Sequence, residues 1–523
     1  MPPSQVALPK EDIPIARAVL PFVLALCITA ACLLLISGLF FKGIGSDGGW
    51  YSYPGFEYSR NAPVESNLLS ADSHTSTALD GLRAFFHFKT YGSVRTLYTG
   101  WWFKAFQPSI LSIKFLGLTE LALYLSIVFL ISLKISGDKL LALILVALLL
   151  NDKTLLMAAA SDFRPDIAVA AFSWMTFLAL LYARSYTTVI TVFSCAVLSV
   201  LVHQTAVVPI AGILTFFLLR DLFEYRHKDF LTHLIISLLA ILALLFSDSL
   251  FDLVFLGYGR HIASPVSAIH RIIAAWHRGP LFLLAKEAAR WKSYFFATNG
   301  AILLIAFLGF YLAVISLVRG VSRRGPLLAM AAATVTSLVL LVLVDPHPAE
   351  HHAIPLVPFF LLTIGYALGS AYQFKRLMRI ILVSLALVSS FTSMALAYKL
   401  YASGIETGYD IVTVQQSLRT ALSSFERKPI LVLGPTEIWP FLDYRSNITI
   451  YDTRRGRVNT VEIAPIIPFV DFVVVNQDYS PEWTNELMQA FPGITLTKTL
   501  ELGPTRAPLI SVHKVGKTLG ERR

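Results

Sequence analysis

The chain has 523 residues, 55% hydrophobic and only 15% charged, with a mean hydropathy of +0.65. Ordinary soluble domains carry about 25% charged residues, so a wholly soluble protein is excluded. The net charge of +10 does not indicate nucleic acid, because residues 399–523 are nearly balanced, with about 14 basic and about 13 acidic side chains. The positive excess lies in the apolar part, where it reports membrane topology rather than a polyanionic partner.

From about residue 18 to about residue 398, apolar windows recur near the ~20 residues that cross a bilayer. A single signal peptide does not produce that pattern. The windows predict about eleven spans, at 18–41, 111–133, 139–158, 165–183, 187–202, 204–219, 230–256, 299–318, 326–344, 352–373 and 378–398. Lys10 and Arg17 precede the first. Lys134/Lys139, Arg184, Arg220/Arg226/Lys228, Arg319/Arg323/Arg324 and Lys375/Arg376/Arg379 then fall at every second connection. Basic loops face the cytoplasm, so the N-terminus is expected inside and the C-terminal region outside an inner (plasma) membrane. The expected division is a membrane body over 1–398, including a first external loop at 42–110, and an extracytoplasmic domain over 399–523.

The C-terminal region reads as alternating strands and helices. Strands are expected at Ile430–Gly434, Ile448–Tyr451, Asp471–Asn476, Ile494–Leu500 and Leu509–Val515, with helices at Val412–Glu426 and Trp483–Phe491. The fold class is therefore mainly α: a polytopic helical membrane bundle with a small C-terminal α/β domain. Cys27, Cys32 and Cys195 sit inside apolar runs and offer neither a disulfide framework nor metal-ligand spacing. There is no G-x-x-x-x-G-K-[ST] phosphate loop, which disfavours an ATP-driven transporter.

Polar chemistry is concentrated on the expected outer face. Asp47 follows the first span within Ser46-Asp47-Gly48-Gly49-Trp50-Tyr51, a carboxylate among glycines and interfacial aromatics suited to a lipid headgroup. The rest of that loop adds Asp72, His74, Arg83, Lys89 and Arg95, with helical stretches expected near Thr77–Lys89 and Ser93–Phe106. Arg164-Pro165-Asp166 opens a span with Pro at the first helical position and an acid favourable to the helix dipole. A charge held at bilayer depth costs on the order of 3 kcal/mol, so Arg164 should be paired or should face an anion. His203 divides two apolar runs, and His347, His351 and His352 with Glu350 precede the next one. Their spacing lacks H-E-x-x-H, so a divalent metal stays open as a secondary reading that is not favoured, and no cofactor is assigned. Donation to an anionic phosphate oxygen suits these histidines better. Arg260 belongs to a further basic external segment at 257–298.

In this order the segments resemble the GT-C class of polyprenyl-phosphate-dependent membrane glycosyltransferases, especially the branch with protein O-mannosyltransferases and lipid A aminoarabinose transferases. The resemblance rests on Ser46–Tyr51, Arg164-Pro165-Asp166, His203-Gln204-Thr205, the His351…Pro355…Pro358 pattern and the external C-terminal domain. It implies that Asp47 holds the position of the family's catalytic carboxylate and that the cavity accepts an isoprenoid-phosphate sugar. Many relatives have Asp-Glu where this chain has Asp47-Gly48. An Asp of ordinary pKa ~3.9 is ionised at neutral pH and can take the acceptor hydroxyl proton during inverting transfer. Arg164, His203, His351, His352 and Lys89 are then expected at the donor phosphate, and Trp50, Tyr51, Asp166 and Arg260 at the substrate. The expected partners are a polyprenyl-phosphate sugar donor, a glycan, lipid or protein acceptor, and the bilayer. Two other readings share these features: a lipid-linked glycan flippase or secondary transporter, and an assembly factor for envelope polymers.

Overall fold

The computed structural model describes residues 14–42, 46–59, 93–182, 186–225, 228–239, 273, 276–298, 300–318, 324–345, 349–370, 375–407, 410–423, 430–434, 448–452, 464, 467–476, 483–502 and 510–517. Among them the membrane body is helical. α1 (Pro14–Phe41), α2 (Ser46–Ser59), α3 (Ser93–Phe106), α4 (Ile110–Ser136), α5 (Lys139–Leu150) and α6 (Lys153–Met157) lead to a π-helical turn at Ala158–Asp162. α7 (Pro165–Leu181), α8 (Tyr186–Val202) and α9 (Val207–Phe223) follow, then a helix over 228–239. α10 (Pro280–Lys292), α11 (Gly300–Val318), α12 (Arg324–Val344), a 3-10 helix at Glu350–Leu356, α13 (Val357–Ser370) and α14 (Lys375–Thr407) complete the body. Among the described residues, four helices are long and apolar enough to cross a membrane, and up to six if each of two bent pairs is one span. The chain is a multi-pass membrane protein. The expected helix at Thr77–Lys89 lies outside the described residues.

One expected span is broken. Residues 139–162 form two helices bent by 61°. The cause is local: Asn151 ends α5 and donates its side-chain amide to the Ala147 carbonyl, while Asp152 caps α6 by accepting from the Leu155 N–H at 3.1 Å. After the π turn, Phe163 takes a left-handed φ of 45° and Pro165 starts α7 at its first position. The pairing of α4 with the π turn needs Gly117, since a Cβ there would meet the Ala159 carbonyl oxygen at 2.4 Å.

Lys114 of α4 is buried and closes the end of α1. Its ammonium donates to the carbonyls of Gly38 (2.8 Å), Leu39 (2.9 Å) and Lys42 (2.5 Å), which the helix itself leaves unpaired.

The C-terminal part contains α15 (Ile411–Ser423), β1 (Ile430–Gly434), β2 (Ile448–Asp452), β3 (Phe472–Asn476), α16 (Trp483–Ala490), β4 (Ile494–Leu502) and β5 (Ile510–Lys517). They form one mixed sheet in the order β2-β1-β3-β5-β4, with β1 parallel to β2 and β3, and β5 antiparallel to β3 and β4. The alternation of strand side chains divides the two faces. Leu433, Val473 and Val515 pack with Trp483 and Leu487 of α16. Val432, Phe472, Val474 and Val512 join Ile411, Val414 and Leu418 of α15 in a cluster that also holds Phe56, Phe103, Ile110 and Phe163. One face of the sheet therefore belongs to the same apolar core as the ends of α2, α3 and α4 and the corner before α7. That end of the bundle carries the polar site.

Candidate functional site

The corner before α7 is built around a buried ion pair. Arg95 of α3 is 0% exposed and grips Glu120 of α4 through Nε (3.2 Å) and Nη2 (3.1 Å). It also donates to the carbonyls of Phe163 (3.1 Å) and Arg164 (3.3 Å), and its guanidinium lies 3.9 Å from the Phe163 ring centroid. Tyr98 donates to Glu120 at 2.5 Å. Two helices, α3 and α4, thereby fix the backbone from which Arg164 and Asp166 project.

Arg164 is the N-cap residue of α7 and donates from Nε to Asp166 Oδ2 at 3.3 Å. The sequence requirement that this cation be paired is met by its own helix. Asp166 is almost fully buried, and its other oxygen, Oδ1, stands 3.9 Å from His352 Nε2. His352 is in turn bonded through Nδ1 to Asp345, which also takes a 2.8 Å contact from Arg290 of α10. His351 and His352 meet edge to face, with ring centroids 4.5 Å apart. Trp174 and Tyr124 hold this short 3-10 helix against α7 and α4 by donating to the Pro355 and Ile354 carbonyls at 2.9 Å and 3.3 Å.

His203, between α8 and α9, accepts at Nδ1 from the Thr205 N–H at 3.3 Å. Burial pushes its pKa down to about 4, against the opposing pull of Asp166. Burial likewise lowers His351 to about 3. Both rings are neutral at physiological pH. Tyr51 of α2 stands edge-on to His203 at 6.1 Å and 5.8 Å from the Arg95 guanidinium. Asp47 and Trp50 lie on the same helix, Asp47 one turn before Tyr51. α2 reaches α3 closely because Gly55 has no Cβ, which would meet Thr99 Cγ2 at 2.5 Å.

Five residues singled out from the sequence (Arg164, Asp166, His203, His351 and His352) thus meet around the start of α7, with Tyr51 beside them. Lys89 and Arg260 lie outside the described residues. Sequence reasoning missed the roles of Arg95, Glu120, Arg290 and Asp345. Asp345 opens the same polar turn as the histidines, which was the available signal. Of the described residues, Asp166, His351 and His352 could hold a metal ion, because one ligand atom from each lies within 4.8 Å of the others.

No protein-family model matches the chain, and no curated protein matches it. Solved structures do. The chain is similar to ArnT from Cupriavidus metallidurans bound to undecaprenyl phosphate, with 12% identity and a TM-score of 0.52 over 94% of this chain and 98% of that one. It is also similar to an Archaeoglobus fulgidus oligosaccharyltransferase in complex with Zn and sulfate, with 13% identity and a TM-score of 0.46 over 89% of this chain and 70% of that one. The likeness to the former shows a common fold, and it is the GT-C fold that the sequence resemblance implied.

Proposed function

We propose that this GT-C-fold protein transfers a sugar from a polyprenyl-phosphate carrier to a glycan, lipid or protein acceptor on the outer face of the inner membrane. The observation that carries the reading is the convergence of Arg164, Asp166, His203, His351 and His352 at one end of the bundle, beside the helix that bears Asp47. In this reading the N-terminus is cytoplasmic, and the C-terminal sheet caps the extracytoplasmic end of the site.

Asp47 acts as the general base that takes the proton from the acceptor hydroxyl as it attacks the anomeric carbon with inversion. Bond cleavage leaves the polyprenyl phosphate as an anion. Arg164 stabilises that charge, and the ring N–H groups of the neutral histidines add hydrogen bonds. Fixed donors cost no reorganisation during the reaction, and Arg95, held by Glu120, fixes the backbone that carries Arg164. Trp50 and Tyr51 supply aromatic surface to the sugar, and Asp166 orients Arg164. The donor linkage is already activated, so no nucleotide is required.

The test is incubation of membranes containing the protein with a panel of radiolabelled polyprenyl-phosphate sugars and envelope extract. The expected result is protein-dependent movement of label from the carrier into one extract fraction. Label that crosses the membrane but stays on its carrier would instead establish the flippase reading.

A further inference from the structure

We infer that a groove between α3 and the outward flank of α4 holds one acyl chain of a glycerophospholipid, at a site separate from the cluster around the start of α7. The groove has a volume of about 610 Å³, within the range of cavities that hold small ligands. Trp102 and Phe106 form its α3 wall, and Phe115, Leu118, Thr119 and Ala122 its α4 wall.

Three observations select a lipid chain as the occupant. First, the groove continues a bilayer-facing surface. α4 is long and apolar enough to cross a membrane, and its outward residues Phe115 and Leu130 are 50% and 44% exposed. Second, depth sorts the lining by polarity. The 27 residues of α4 rise about 40 Å, close to the thickness of a bilayer with its headgroup layers. Ser109 and Ser112 line the groove where α4 begins, at headgroup level, whereas Phe115, Leu118 and Ala122 lie at acyl-chain level. Third, the polar atoms of the deeper walls are satisfied within the protein. Thr119 donates its hydroxyl to the Phe115 carbonyl at 2.9 Å. Trp102 donates its indole N–H to the carbonyl (2.9 Å) and hydroxyl (3.0 Å) of Ser112. Methyl, methylene and ring surface is left to line the groove, so a hydrocarbon chain can enter without stranding a polar group.

The serines at the headgroup end suit the polar part of the same lipid. Ser109 accepts from the Ser112 N–H, and Ser112 accepts from Trp102. Each hydroxyl thus keeps a proton to donate to an ester or phosphate oxygen. The groove also backs onto the buried ion pair: Tyr98 lies one turn before Trp102 on α3, and Glu120 follows Thr119 on α4. A chain seated there braces the two helices that hold Arg95. None of this rests on the proposed transferase reading.

The test uses delipidated full-length protein in detergent, to which dioleoyl phosphatidylglycerol is added without any polyprenyl lipid, and native mass spectrometry counts what stays bound. The expected result is about one phospholipid retained per chain. Ala122→Trp and Thr119→Phe each put a ring into the groove from an exposed position and should lower the affinity at least about tenfold. Leu130→Trp, farther along the same helix and outside the groove, should leave it unchanged. In wild type alone, phosphatidylglycerol with a mid-chain diazirine should label residues 102–122 saturably, a readout that does not depend on any variant folding. Wild type that retains no phospholipid overturns the site, as does retention equal in wild type and both groove variants, or labelling that spreads to Leu130 without saturating. Displacement by polyprenyl phosphate but not by unlabelled phospholipid would give the groove to the sugar donor, and a dimer that Ala122→Trp dissociates would give it to a second copy of the chain; either result also overturns the inference. Sugar transfer is assayed separately, so failure of the lipid site and failure of the transferase reading are distinguishable.

Discussion

Replacing Arg95 by Met removes one charge from an enclosed pair and leaves its partner in place. Glu120 is 7% exposed and would keep Tyr98, while the carbonyls of Phe163 and Arg164 would lose their donor. Breaking a buried pair from one side costs about 3–5 kcal/mol, because the remaining charge is uncompensated. Replacing both partners by Met removes that charge as well. The double variant leaves the two carbonyls and the Tyr98 hydroxyl without their partners but no uncompensated charge, so it should be more stable than the single variant by about 2 kcal/mol. The assay is unfolding of the purified protein in graded anionic detergent, followed by tryptophan fluorescence. The reasoning is refuted if Arg95→Met lies within ~0.5 kcal/mol of wild type, or if the double variant is no more stable than the single one.

Arg164→Ala should raise the KM for the lipid donor by more than tenfold with normal membrane expression; an unchanged KM would remove Arg164 from the phosphate site. Gly117→Val places a side chain on the Ala159 carbonyl oxygen and should lower the thermal midpoint, whereas the neighbouring exposed Phe115→Val should leave it within error. His513 on β5 has its pKa lowered, by burial first and then by Lys498 opposite it on β4. The unfolded strand therefore takes up a proton first as pH drops below about 6.5, and stability is lost on the acid side with no effect above neutrality. Hydrogen exchange of the β4–β5 amides should be faster at pH 5 than the intrinsic rate change allows, and His513→Gln should remove that excess.

Much of this architecture was readable from residue patterns because the physics involved is local. All five strands and the helices at 411–423 and 483–490 follow from period-two and helical alternation. The start of α7 follows from Arg164-Pro165-Asp166. The kink at Asn151-Asp152 was missed because apolar residues continue across it, and two short polar side chains rewire the backbone inside an unbroken hydropathy signal. The residues that meet at the start of α7 were legible as a set of polar side chains at expected span ends but not as a geometry. Arg95 looked like any loop cation until its burial against Glu120 was known, and no spacing rule joins Asp166 to His352. Such pairings arise only when distant helices pack.

The most direct measurement of the central claim is the polyprenyl phosphate released from a labelled lipid-phosphate sugar by wild type and by Asp47→Asn, both shown to be folded and membrane-inserted. The account predicts acceptor-dependent release by wild type and a loss of at least about a hundredfold in the variant, the scale of removing a general base. Equal release by the two proteins would contradict it.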